Sequence, residues 1–161
     1  GATDYSGETR VNGGTLRLGH SSACNDGPMV VNGGTLHVNA GDVYMGANSV
    51  TLSSGSITGD NLWSENAFNL ESGTVSAKLK GAGAVDKSTA GTVTLSGANT
   101  YTGATAVTGG TLMIKGSCAG SDVTVSGAGT LLGGAITRWH GALLVAGIIG
   151  YLLAQARRAR R

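Results

Sequence analysis

Proline, aromatic side chains and charge are all scarce in this sequence of 161 residues, which has one proline, 4% aromatic residues and 12% charged residues. The lack of proline excludes a collagen-like chain, which needs much more proline and a glycine at every third position. The few aromatic residues disfavour an ordinary globular enzyme domain, because aromatic side chains supply much of the apolar area in such cores. Low charge together with frequent Val, Leu and Ile disfavours simple disorder.

Glycine is abundant instead, with 29 residues, and it recurs in the tripeptide Gly-(Thr/Ser)-(Leu/Ile/Val). The first glycine of this tripeptide returns at nearly even intervals along the chain. Such even spacing indicates an internal repeat with a period of about 19 residues. The repeat glycines are Gly14, Gly34, Gly55, Gly73, Gly91, Gly110 and Gly129.

Apolar residues alternate with polar ones on both sides of the repeat glycine, as Val11, Leu16 and Leu18 do around Gly14. This pattern predicts two short strands with a bend between them in each unit. A unit of this size cannot bury its own apolar row, whereas stacked units bury all rows in one continuous column. The sequence therefore predicts an all-β fold over residues 1–137, a parallel β-helix (β-solenoid) of about seven coils.

Glycines and asparagines at equivalent offsets have specific expected roles in such a stack. Glycine allows sharp turns with positive φ and close approach of successive backbones. Asn12 and Asn32 both precede a repeat glycine by two residues. They predict either a ladder of stacked amides or simple turn positions.

Two segments resemble a known family. Residues 91–103, Gly-Thr-Val-Thr-Leu-Ser-Gly-Ala-Asn-Thr-Tyr-Thr-Gly, followed by Gly109-Gly110-Thr111-Leu112, are similar to the autotransporter-associated β-strand repeat, also called the passenger-associated transport repeat. Residues 3–19 resemble the second half of another copy. The resemblance implies a right-handed parallel β-helix in a secreted bacterial passenger, and residues 1–137 would then be a fragment of a longer passenger.

The sequence predicts no catalytic residues, no cofactor and no metal site, and therefore no enzyme. The best local pair of carboxylates, Asp60 and Glu65, fits two solvated loop acids beside Trp63 much better than it fits a catalytic pair. No two histidines share a metal-ligand spacing.

Cys24 and Cys118 lie about five coils apart, which excludes a disulfide between them in a continuous solenoid. Residues 1–137 hold nine acidic and six basic residues, net −3, so a nucleic-acid partner is not expected.

One connection breaks the repeat pattern and suggests a binding loop. Trp63 and Phe68 flank it, and Asp60 and Glu65 lie in or beside it. Exposed aromatic residues could bind host or matrix glycans, as on an adhesin. The alternative is that both aromatic side chains cover the solenoid core.

The last segment, residues 138–161, has five arginines and no acid, net +5. Its uncharged stretch, 141–154, predicts an apolar helix that either anchors the chain in a membrane or caps the solenoid. The anchor interpretation places Trp139 at one interface and Arg157, Arg158, Arg160 and Arg161 at the other. If the helix is a cap, its loss would expose a sheet edge to self-association. The segment is also similar to exosortase-type sorting signals, although their Pro-Glu-Pro is missing, since Pro28 is the only proline.

Together these features predict a structural stalk, or passenger segment, of a secreted or surface-displayed bacterial protein. Its expected role is to assist passenger folding and export, at the outer membrane or outside the cell. The alternatives are an adhesin-like surface that binds glycans and, much less favoured, a polysaccharide-active enzyme on a β-helix.

Overall fold

The computed structural model describes residues 7–22, 27–133 and 135–139. This part of the chain contains no helix, and all of its strand pairs are parallel. The strands in chain order are β1 (Thr9–Val11), β2 (Thr15–Leu18), β3 (Met29–Tyr44), β4 (Val50–Trp63), β5 (Phe68–Leu70), β6 (Gly73–Val75), β7 (Lys78–Lys80), β8 (Val85–Lys87), β9 (Thr92–Leu95), β10 (Ala98–Asn99), β11 (Thr105–Val107), β12 (Thr111–Ile114), β13 (Ser117–Val125), β14 (Thr130–Leu132) and β15 (Ala135–Trp139).

The strands stack in three columns, and each complete coil contributes one strand to each column. The first column contains β1, residues 29–31 of β3, residues 50–52 of β4, β5, β8, β11, residues 123–125 of β13 and residues 138–139 of β15. The second contains β2, residues 35–38 of β3, residues 56–59 of β4, β6, β9, β12 and β14. The third contains residues 42–44 of β3, residues 61–63 of β4, β7, β10, residues 117–118 of β13 and residues 135–136 of β15. The chain is therefore an all-β parallel solenoid, as the repeat predicts.

The number of turns differs from the prediction. Each repeat glycine precedes or begins one strand of the second column, and these seven strands enclose about six complete turns rather than seven. The predicted helix over 138–161 is not found in the described residues either. Arg138 and Trp139 belong to β15, where they pair with Asp122 and Val123 of the coil below. Residues 140–161, with Arg157, Arg158, Arg160 and Arg161, lie outside the described residues.

The core is one continuous apolar column inside the coils. Leu36, Ile57 and Val75 occupy consecutive registered positions of the second column, and all three are fully buried. Alternation along each strand sends their neighbours to the outer surface. Burial of one such side chain stabilises the fold by about 1.5–3 kcal/mol. The stack therefore gains stability with every added coil.

The polar corners of the coils also stack. Asn32 Nδ2 donates a hydrogen bond to Asn12 Oδ1 at 3.4 Å, and Ser54 Oγ donates to Asn32 Oδ1 at 3.5 Å. The amide ladder is thus the alternative that the structure confirms for Asn12 and Asn32. At Gly55, φ is 93° and an added Cβ would lie 2.2 Å from the carbonyl oxygen of Gly34. Only glycine fits this corner, because the backbone of the preceding coil occupies the space of a side chain.

Candidate functional site on the outer face of the third column

Three large side chains stack on the outside of the third column. Tyr44 pairs in register with Trp63, and Trp63 pairs with Lys80. The residues before them, Val43, Leu62 and Leu79, are fully buried in the core. Alternation therefore directs Tyr44, Trp63 and Lys80 outward.

Ring and charge contacts hold this stack together. The ring centroids of Tyr44 and Trp63 are 5.5 Å apart with an interplanar angle of 41°. Lys80 Nζ lies 5.2 Å from the centroid of the Trp63 ring, within the range of a cation–π interaction. Tyr44, with 41% of its surface exposed, leaves an aromatic face in contact with solvent. Trp63 is thus flanked by one neighbour from each adjacent coil.

Asp42 fixes the position of the Lys80 ammonium. Lys80 Nζ donates to both carboxylate oxygens of Asp42, at 2.9 and 3.1 Å, and Asn61 Nδ2 donates to Oδ1 at 2.7 Å. The hydrogen bond from Lys80 is the main cause that lowers the pKa of Asp42, and the bond from Asn61 adds to it. Asp42 therefore remains an anion while it orients the cation beside Trp63.

A shallow groove of about 340 Å³ runs from Trp63 across the next two coils. Trp63 Nε1 donates to Glu65 Oε1 at 2.9 Å, which orients both the indole and the carboxylate. We call this site the Trp63 groove, and it is lined by Trp63, Glu65, Lys80, Gly81, Ala82, Thr100 and Thr102. Its lining thus combines an aromatic ring, two opposite charges, two small residues and two exposed hydroxyl groups.

The structure unites only part of the predicted binding loop. Trp63 and Glu65 both line the groove, whereas Asp60 Oδ2 accepts a hydrogen bond from Gly41 N at 3.1 Å at the preceding corner. Phe68 is fully buried and packs against Tyr101 with 6.4 Å between ring centroids. Of the two alternatives for Phe68, the structure therefore agrees with the one in which the ring covers the core and not with a place in a binding loop, because Phe68 begins β5 and occupies an inward position.

Two residues of the site escaped the sequence analysis. Tyr44 and Lys80 end ordinary strands, β3 and β7, and lie outside the connection that breaks the pattern. Their spacing carried the signal, since Tyr44 precedes Trp63, and Lys80 follows it, by roughly one repeat period. A separation of one period in a solenoid means that two residues are adjacent in space.

No metal cluster is found in the part of the chain that the structure describes, where no three His, Cys, Asp or Glu side chains come together. His37 Nδ1 instead lies 3.0 Å from Thr58 Oγ1 on the outer face of the second column. Across 7–22, 27–133 and 135–139 there is also no helix long and apolar enough to cross a membrane.

A buried polar network begins at Tyr101, between the groove residues Thr100 and Thr102, and continues into the next coil. A hydrogen bond of 2.7 Å joins the hydroxyls of Tyr101 and Thr105, and another of 2.7 Å joins those of Thr105 and Ser121. The Tyr101 hydroxyl also donates to Cys118 Sγ at 3.4 Å, and Cys118 is a free thiol, whereas Cys24 lies outside the described residues. Burial raises the pKa of the Cys118 thiol and of the Tyr101 phenol. These groups are therefore neutral and structural.

Lys87 is fully buried at an inward position of the first column. Its ammonium donates to the carbonyl oxygens of Thr89 and Gly109, the latter at 3.2 Å, and to Thr89 Oγ1 at 3.3 Å. Burial lowers the pKa of Lys87, and the nearby carboxylates of Glu71 and Asp86 oppose that shift. The side chain thus joins two successive corners from within the core.

The family model described as the passenger-associated-transport-repeat matches residues 1–18 and 87–114. The matched segments include β1 and β2 at one end and β9 to β12 further along the stack. No curated protein and no solved structure shows a significant match to the chain. The repeat and the parallel stack agree with this match, and the two matched segments carry the passenger-associated-transport repeat, an autotransporter-associated repeat.

Proposed function

We propose that the chain is a stalk segment of a bacterial autotransporter-like passenger that folds outside the cell coil by coil and thereby assists export. The repeat fits an autotransporter passenger-type structural segment and indicates a secreted or surface-exposed protein. The observation that carries the proposal is the unbroken first column. It runs in parallel register from Thr9 through Met29, Val50, Phe68, Val85 and Thr105 to Val123.

Each coil in this column prepares the binding surface for the next. A completed coil presents an edge of unpaired backbone groups and one end of the apolar core. The next coil needs only contacts about 20 residues away in sequence to satisfy both. Folding can therefore advance from one end while the rest of the chain is still extended. The free energy released by each added coil would oppose backward movement of the passenger.

Export of a corner variant tests this proposal. The whole chain is inserted into the passenger of a bacterial autotransporter, and surface display is measured by protease accessibility on intact cells. Gly110→Val should lower display strongly, because a side chain at this corner meets the preceding coil. Thr108→Val, two residues away on the exposed side, serves as the control and should be displayed normally. Full display of a Gly110→Val chain that remains unfolded at the cell surface would contradict the proposal.

A second function, glycan binding, is favoured by one observation, the Trp63 groove. We propose no catalytic role, since the repeat and the solenoid support a structural segment.

A further inference from the structure

We propose that the Trp63 groove binds a neutral oligosaccharide built of flat, all-equatorial pyranose rings, such as a β-1,4-glucan. The site is independent of the export role, because it depends on outer side chains of the third column and not on the order in which coils form. Its ligand class follows from the shape, the charge and the preorganisation of the groove.

Shape favours a short, flat ligand. The groove begins at Trp63 and crosses two further coils to Thr100 and Thr102, which is a distance of about 10 Å at one strand spacing per coil. Gly81 and Ala82 keep the floor low between these points. A volume of about 340 Å³ is at the lower end for small-molecule sites, which span about 300–1,000 Å³. One or two sugar rings fill such a space.

Surface chemistry favours a carbohydrate. An all-equatorial pyranose presents C–H groups on both ring faces and hydroxyls around its edge. One ring face matches the small apolar floor at Ala82, and the C–H groups also contact the part of the Trp63 indole that Tyr44 and Lys80 leave exposed. Its edge hydroxyls match the Glu65 carboxylate, the Lys80 ammonium and the exposed hydroxyls of Thr100 and Thr102.

Charge balance selects a neutral ligand. Lys80 is already paired with Asp42 through two hydrogen bonds. The Glu65 carboxylate accepts a hydrogen bond from the indole N–H of Trp63, which is a neutral group, so its negative charge is not balanced by a cation. An anionic oligosaccharide would therefore be repelled by Glu65, and the residues that line the groove offer no further ammonium to attract it.

Preorganisation lowers the cost of binding. Trp63 is held by Tyr44, Lys80 and Glu65, and Lys80 is held by Asp42. Side chains that are fixed before binding lose little conformational entropy when the ligand arrives. An open, shallow site of this kind should still bind weakly, with a Kd for cellotetraose on the order of 0.1–1 mM.

Calorimetric titration of the full chain with three tetrasaccharides tests the proposal. Cellotetraose is the expected ligand, maltotetraose has a bent chain, and tetragalacturonate is anionic. We expect saturable binding of cellotetraose and at least about tenfold weaker binding of the other two. Absence of saturable binding of cellotetraose up to about 10 mM, or tighter binding of either other sugar, would overturn the proposal.

Two matched variants locate the binding site. Ala82→Gln fills the groove from an exposed position without removing any contact, and it should weaken cellotetraose binding at least about tenfold. Ala104→Gln introduces the same side chain at an exposed position outside the groove and should leave binding within about twofold. Far-UV circular dichroism verifies that both variants keep the β spectrum. Equal binding by wild type and Ala82→Gln would exclude the groove as the site.

Discussion

Gly110 stacks directly on Gly91, so that a Cβ added at position 110 would lie 2.3 Å from the carbonyl oxygen of Gly91. The same atom would lie 2.4 Å from the carbonyl oxygen of Thr89, and φ at Gly110 is 59°. Both contacts are shorter than any real Cβ tolerates, and they involve backbone that cannot rotate away. The corner of one coil thus excludes a side chain on the next.

Gly110→Ala should lower the free energy of unfolding by at least about 3 kcal/mol, because it adds a backbone clash to the cost of positive φ. Gly14→Ala is the matched control, since Gly14 has a similar φ of 66° but no atom within 4 Å of an added Cβ. It should cost only about 1 kcal/mol. Urea denaturation of both variants measures the difference. Equal losses would show that backbone conformation alone, and not coil stacking, requires glycine here.

The fold could be predicted from the sequence because the solenoid depends on a pattern that repeats. An even repeat period, a glycine at each corner and alternation around it specify a strand, a bend and a strand, as at Val11, Gly14 and Leu16. The third column was less visible, because its strands are short and carry no shared tripeptide. Long strands that run through the corners, such as β3, could not be foreseen, since the alternation of buried and exposed residues shifts by one position around Gly33 and again around Gly41.

The Trp63 groove could be predicted only in part. Trp63 is a rare aromatic residue beside the connection that breaks the repeat, which makes it a candidate for binding. Phe68 flanks the same connection but lies in the core. The side chain after a turn points inward or outward according to the position at which the strand begins. For Phe68 a shift of one residue decides between solvent and core. Tyr44 and Lys80 lie roughly one repeat period from Trp63, but the third column has no shared tripeptide by which these positions could be aligned.

The hydroxyls of Tyr101 and Thr105 should be energetically coupled. Each of Tyr101→Phe and Thr105→Val removes one partner from a fully buried hydrogen bond of 2.7 Å. We expect each single change to cost about 1–2 kcal/mol. The double variant should cost less than the sum by about 0.5–1.5 kcal/mol, as measured by a double-mutant cycle in urea. Strict additivity would indicate that the two hydroxyls stabilise the fold independently.

Cys118 should react with thiol reagents only when its coil opens. The side chain is 1% exposed, and burial raises the pKa of its thiol, so both access and thiolate content are low. In a Cys24→Ser background, labelling of Cys118 should be at least about a hundredfold slower than labelling of the urea-unfolded chain. The rate should increase when Gly110→Ala loosens the stack. Rapid labelling of the folded protein would contradict the buried position.

The carboxyl of Asp42 should titrate at higher pH in the absence of Lys80. The hydrogen bond from Lys80 is the largest cause of its lowered pKa, so Lys80→Met should raise that pKa towards the ordinary value of 3.8. Asn61→Ala removes the second-largest cause and should have a smaller effect in the same direction. NMR detection of the Asp42 carboxyl carbon during acid titration measures both changes. Lys115→Met provides a control, and a larger shift for Asn61→Ala than for Lys80→Met would contradict this order.

Lys87 should make the stability of the fold depend on pH, because burial lowers its pKa from the ordinary value of 10.5. Between the folded and the unfolded pKa, the unfolded chain carries a proton on Lys87 that the folded protein has released. Stability linked to this residue must therefore increase as pH rises towards 10.5 and decrease as pH falls. Lys87→Met replaces the ammonium by an apolar group of similar length and removes this linkage.

The measured quantity is the free energy of unfolding of wild type minus that of Lys87→Met, from urea denaturation at several pH values between about 7 and 10.5. We expect this difference to rise with pH. Lys115→Met, the same substitution at an exposed lysine, serves as the control. A difference for Lys87→Met that falls with pH would mean that Glu71 and Asp86 outweigh burial. In that case the ammonium would be held by charge and not by the carbonyl groups of Thr89 and Gly109.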